Sequence, residues 1–172
     1  TGAAVAGCSR LGDEPRRQRA LVLQAIAVTG SGWIYDSAAK LAQLPCDACE
    51  LETRALALAL QAWHALDRGD FGAVAGRYTK LLDVLEQLDS LQVWYHGFRR
   101  PLYVRLPGMR EPLTRFVEGV MRRIGDSPTE MRAIANVIAS WLALWRGDLN
   151  SAMELIASAE DEARWFGMPT HL

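Results

Sequence analysis

Cysteine is scarce in this chain, with three among 172 residues. So small and odd a number excludes a disulfide-built scaffold and favours a reducing compartment, so a cytoplasmic location is expected. An excess of charge of either sign is also lacking: twenty acidic residues stand against nineteen basic ones, a net of −1. No domain-wide field therefore draws phosphates or anionic lipids, and direct nucleic-acid contact is not expected. No apolar run approaches the ~20 residues that a membrane-spanning helix needs. No segment keeps the strand period of two over a useful length. A phosphate-cradling loop of the Gly-x4-Gly-Lys-Ser/Thr form is missing, and so is a basic recognition helix.

What is present is a globular composition. Half the residues are hydrophobic and 23% are charged, which excludes a disordered chain. A domain of about 150 residues buries roughly 68–70% of the surface its unfolded chain exposes, so a core can form without staples. The chain starts with Thr1, which suggests a piece of a longer polypeptide. Near that start, Val5-Ala6-Gly7-Cys8 resembles a bacterial lipoprotein cleavage box. That signal needs charged and apolar segments upstream, and only four residues precede Val5, so a small-residue loop or helix end is expected instead.

The most informative pattern is an internal repeat. Gly30, Gly69, Gly108 and Gly147 follow one another at intervals of 39 residues. Around two of them the chain nearly copies itself: Arg68-Gly69-Asp70-Phe71 and Arg146-Gly147-Asp148-Leu149. Each lies between two apolar-periodic segments. Glycine takes the left-handed conformation at a helix end without steric cost. Aspartate then caps the following helix. The unit is thus a helical hairpin, and one hairpin cannot bury its apolar face alone, so neighbours must stack. Arg-Gly-Asp is also an adhesion tripeptide, but its recurrence at one place in a repeat favours the interhelical turn.

Periodicity predicts eight helices as four pairs. The first spans about 14–28, with Leu21, Val22, Ala25 and Ile26 inward, and the second about 34–44, ended by Pro45. The third spans 48–67 behind an Asp47–Glu50 capping box, and the fourth 71–88. The fifth spans 91–106, interrupted by Pro101 and weakened by Gly97. The sixth spans 111–124. Ser127-Pro128-Thr129-Glu130 opens the seventh, with serine as cap, and it runs to Trp145. The eighth spans 149–166. The fold class expected is all-α: an α-α superhelix of about four stacked antiparallel hairpins. It forms a single domain over 1–172, with repeats near 14–45, 47–90, 91–125 and 127–167.

The turn pattern resembles a tetratricopeptide repeat (TPR). In that family a small residue seven positions before the turn glycine lets the hairpin close. Ala62 and Ser140 hold that place here. Pro101 in the third unit departs from the pattern, and the interval of 39 exceeds the usual ~34. A longer, degenerate repeat of this kind resembles the superhelical sensor domain of large LuxR-type, MalT-like transcription regulators. The segments Trp141-Leu142-Ala143-Leu144-Trp145-Arg146-Gly147-Asp148 and Glu162-Ala163-Arg164-Trp165-Phe166-Gly167-Met168-Pro169 carry that similarity. The resemblance implies a bacterial protein with an ATPase module upstream and a helix-turn-helix module downstream.

The search for chemistry yields one motif, Cys46-Asp47-Ala48-Cys49. A thiol at a helix N-terminus is acidified, but the βαβ setting of a thioredoxin is missing. Zinc would need two more ligands, and Cys8, His64 and His96 lie at no recognised spacing. Two small residues at a helix start are the simpler account. No histidine has a serine or cysteine partner suggested by spacing, the carboxylates are scattered, and no cofactor, metal or enzyme activity is expected.

Binding is the better-supported expectation. By analogy with a TPR hairpin, Trp63 and Trp141, each six residues before a turn glycine, line a concave groove. Tyr95, Phe98, Leu102 and Arg105 face it from the middle unit, and Trp145 sits near it. The stretch from Trp94 to Arg105 mixes aromatics with Arg99, Arg100, Arg105 and His96. The candidate binding residues are therefore Trp63, Tyr95, Phe98, Arg99, Arg105, Trp141 and Trp145. Aromatic floors with arginine forks suit an acidic peptide, a sugar or a carboxylate ligand; the competing use of these aromatics is to fill gaps between hairpins. The expected partners are a peptide, protein or small effector in the groove and the flanking domains of an intact protein, without a membrane. Two rivals differ in kind. One is a stand-alone scaffold or envelope assembly factor, marked by a lipoprotein signal upstream. The other is an all-α enzyme centred on Cys46, Cys49, His64 and the arginine-rich fifth helix, marked by a bound metal or cofactor.

Overall fold

The computed structural model describes residues 2–30, 34–42, 44, 49–98 and 105–167. All regular structure among them is helical. The chain divides into two compact units, Thr1–Leu88 and Asp89–Leu172.

The first unit holds α1 (Gly2–Leu11), α2 (Glu14–Gly30), α3 (Ile34–Leu41), α4 (Leu51–Asp67) and α5 (Phe71–Leu85). Helix α1 was not anticipated. It buries none of its residues, and most of its side chains are small. The lipoprotein-like box lies within it. Helix α4 is central: it packs against α2, α3 and α5 at once. Ala55 to Leu60 and Ala62 to Ala65 are accordingly all buried. Leu21, Val22 and Ala25 of α2 and Val74, Tyr78, Leu81, Leu82 and Leu85 of α5 complete the core. Helix α4 starts at Leu51, with Glu50 as N-cap and no side-chain cap bond. Asp47 and Pro45 lie outside the described residues.

The second unit holds α6 (Leu91–Phe98), α7 (Arg110–Ile124), α8 (Glu130–Trp145) and α9 (Leu149–Trp165). Helix α7 turns Leu113, Phe116, Val120 and Ile124 inward at spacings of three and four. Helices α8 and α9 form the tightest pair, clasped by an Arg132–Glu162 ion pair at 2.8 Å and an Asn136–Ser158 hydrogen bond at 3.2 Å. The expected fifth helix ends its described course at Phe98; Pro101 lies outside the described residues. The cap of α8 is Thr129, not Ser127. Thr129 is extended (φ −151°, ψ 156°) and its hydroxyl accepts from the Arg132 N–H at 3.1 Å. That geometry puts an oxygen over the open N–H groups of the first turn.

Two of the four repeat glycines, Gly69 and Gly147, form the expected turn between paired helices, whereas Gly30 is the last residue of α2. Gly69 and Gly147 have φ of 73° and 78°, which an L side chain rarely adopts. The Gly69 N–H donates to the Leu66 carbonyl and the Asp70 N–H to the Ala65 carbonyl, both at 2.8 Å. The Gly147 N–H donates to Leu144 and the Asp148 N–H to Ala143, both at 3.0 Å. This paired pattern satisfies carbonyls that a helix end otherwise leaves open. Gly12-Asp13 builds the same turn between α1 and α2, through bonds from Gly12 to Ser9 and from Asp13 to Cys8. Asp13 and Asp148 also cap the next helix with their carboxylates, accepting from Arg16 and Ser151; Asp70 makes no such side-chain bond.

Candidate ligand-binding faces

Helix α8 sets the geometry of the main candidate site. Trp141 and Trp145 are one turn apart and so share a face. Trp141 is half-buried and Trp145 is 40% exposed. Arg105 lies in the connection before α7, and its guanidinium carbon stands 4.6 Å from the Trp141 ring centroid. A cation over an indole at an exposed site is worth about 0.5–1 kcal/mol. That is enough to orient Arg105 and too little to lock it against a ligand carboxylate, since a bidentate arginine–carboxylate pair is charge-assisted and geometrically specific. Three of the expected binding residues are thus on or beside one exposed patch.

The others are elsewhere. Tyr95 lines a shallow recess of about 300 Å³ with Leu91, Gln92, Thr129, Glu130 and Met131. Trp63 does not face a groove: it is 3% exposed. The TPR analogy fails here because α4 has neighbours on three sides, so a position open in a two-helix layer is covered. Phe98 is likewise 3% exposed and stacks on Phe116, with centroids 4.0 Å apart. It is a core residue of the second unit. Arg99 and Leu102 lie outside the described residues.

Sequence spacing missed a serine–histidine contact. Ser37 and His64, 27 positions apart, meet at 3.0 Å between Oγ and Nε2. Both are buried, and the Ser37 hydroxyl donates to the Ala25 carbonyl at 3.1 Å. The tautomer of His64 sets the direction of this bond: with the Ser37 proton on the Ala25 carbonyl, Nε2–H is the donor to Oγ. The contact braces α2, α3 and α4. No group of three or more His, Cys, Asp or Glu side chains among the described residues is placed to hold a metal. Cys49 is buried, and Cys46 lies outside the described residues. Among the described residues no helix is long and apolar enough to cross a membrane.

A second lined space lies within the first unit, between α4 and α5. Its walls include Arg54 and Gln61 from α4 and Arg77, Lys80 and Asp83 from α5. Sequence reading did not single out these residues, which are separate surface positions until the two helices pair. A search of family models, curated proteins and solved structures finds no match to this chain.

Proposed function

We propose that this chain is a non-catalytic binding module of TPR-like stacked hairpins, and that the Arg105–Trp141–Trp145 face receives a planar, carboxylate-bearing effector. The observation that carries the reading is the guanidinium of Arg105 held over the Trp141 ring beside a half-exposed second tryptophan. An aromatic ring of the effector stacks on the Trp145 indole, and its carboxylate meets the guanidinium edge. The similarity of the repeat to MalT-like sensor domains supports a place in the sensor region of a large cytoplasmic LuxR-type regulator. There, effector binding would shift the balance between two arrangements of the hairpins, and with it the contacts of flanking domains. A coding sequence that continues into an ATPase module and a helix-turn-helix module would support that setting; one without them would remove it.

The site itself is tested by calorimetric titration with a panel of aromatic carboxylates, their amides and simple sugars. A carboxylate should bind, its amide should bind more weakly, and Arg105→Gln and Trp141→Ala should each weaken binding by about tenfold or more. Equal binding of acid and amide, or indifference to both substitutions, would overturn the assignment.

A further inference from the structure

The space between α4 and α5 has a volume of about 710 Å³, the size of a small-ligand or short-peptide site. Leu58, Ala73 and Val84 supply the apolar part of its lining. Arg54, Arg77 and Lys80 bring three positive charges to its walls, against the single carboxylate of Asp83. The chain as a whole is neutral to within one charge, so this is a local concentration of positive charge. Arg77 gives a long hydrogen bond, 3.4 Å, to the Gln61 carbonyl, and Lys80 is exposed on the next turn. Neither forms an ion pair with a carboxylate among the described residues. Two cations one turn apart line the same open cleft, which holds a single carboxylate, Asp83.

The lining runs from Ala73 to Gln87, about 21 Å at ~1.5 Å per helical residue. An extended chain rises ~3.3 Å per residue, so the cleft takes about six residues. Gln87 closes one end of the cleft, donating its amide to the Asp83 carbonyl at 2.7 Å. A peptide that alternates acidic and apolar residues matches both the cations and the apolar part of the lining, whereas a phosphate chain matches the cations alone. We propose that the α4–α5 cleft is a second binding site, for an extended acidic peptide whose carboxylates pair with Arg77 and Lys80 and whose apolar side chains rest on Leu58 and Val84. It is separate from the Arg105–Trp141 face and rests on the same reading of the chain as a binding module.

The probe is a fluorescein-labelled peptide of about six residues alternating glutamate and leucine, followed by fluorescence anisotropy on the whole chain. Binding should saturate, weaken with added salt, and fall about tenfold or more in the Arg77→Glu/Lys80→Glu double variant. Lys80→Gln, a change at one exposed side chain that leaves the helices intact, should weaken it by a smaller factor in the same direction. Circular dichroism should show both variants folded. Equal binding of the glutamine-for-glutamate peptide would overturn the proposal. So would a polyphosphate that outcompetes the peptide, or an affinity indifferent to Arg77 and Lys80. Peptide binding lost only in Arg105→Gln or Trp141→Ala would overturn this site while leaving the other face standing. Absence of peptide binding with effector binding intact would do the same.

Discussion

Single atoms decide the packing of the second unit. Trp94 is fully buried between Phe116, whose ring centre is 5.9 Å away, and the Arg123 guanidinium, 4.5 Å from its own ring centre. Its six-membered ring lies against the backbone of α7 at Gly119. A Cβ placed there would stand 2.7 Å from Trp94 Cζ3, too close for any real contact. Gly119→Ala should raise helix propensity by up to ~1 kcal/mol and still destabilise, because forcing extra volume into a filled core costs about 1–3 kcal/mol or more. Denaturant unfolding followed by tryptophan fluorescence measures the difference. A variant as stable as the parent would mean that Trp94 has room to move. This glycine gave no sign in the sequence, since a glycine inside an amphipathic helix looks like a weak position until its neighbour is known. The turn glycines did show themselves, because the left-handed conformation leaves few other residue types and the flanking Arg and Asp repeat with them.

At the scale of the element, α9 carries its own pH dependence. Asp148 accepts from the Ser151 N–H at 3.1 Å, and its carboxyl is held below the usual carboxylate range, first by the Ser151 side chain and then by that backbone bond. A lowered pKa in the folded state means that the cap adds stability above the carboxyl's unfolded pKa. That contribution fades as the pH falls through the lower, folded value. Carbon-detected NMR should place the Asp148 midpoint below the usual ~3.9. Asp148→Asn, which keeps a capping oxygen, should flatten the acid limb of the helix-stability profile. A midpoint at or above the ordinary value would show that the cap does not form in solution. Element identity was largely legible: eight helices were anticipated, and eight of the observed helices lie within those spans or a few residues of them. The remaining helix, α1, buries none of its residues, so no core position marks it in the sequence. Helix ends were less legible where two capping residues compete, as Ser127 and Thr129 do around Pro128, and only the extended backbone of Thr129 selects it.

At the scale of the molecule, two units of paired helices share one turn chemistry and present different surfaces. The first buries its central helix and leaves a cationic cleft between α4 and α5. The second leaves tryptophans on α8 open beside Arg105. The sequence placed Trp63 and Trp141 at equivalent positions, yet one is core and the other half-buried. The number of neighbouring helices decides that difference, and it is a property of tertiary packing that a repeat register cannot carry. Only residue position was legible for Arg105, Trp141 and Trp145; their juxtaposition came from the connection that precedes α7. Six indole N–H groups make the binding claim directly observable. Nitrogen–proton correlation spectra should be recorded during titration with the best-binding aromatic carboxylate. The signals of Trp141 and Trp145 should move together and saturate, while those of the buried Trp63 and Trp94 stay in place. Saturable binding that leaves Trp141 and Trp145 unmoved would contradict the assignment of this face.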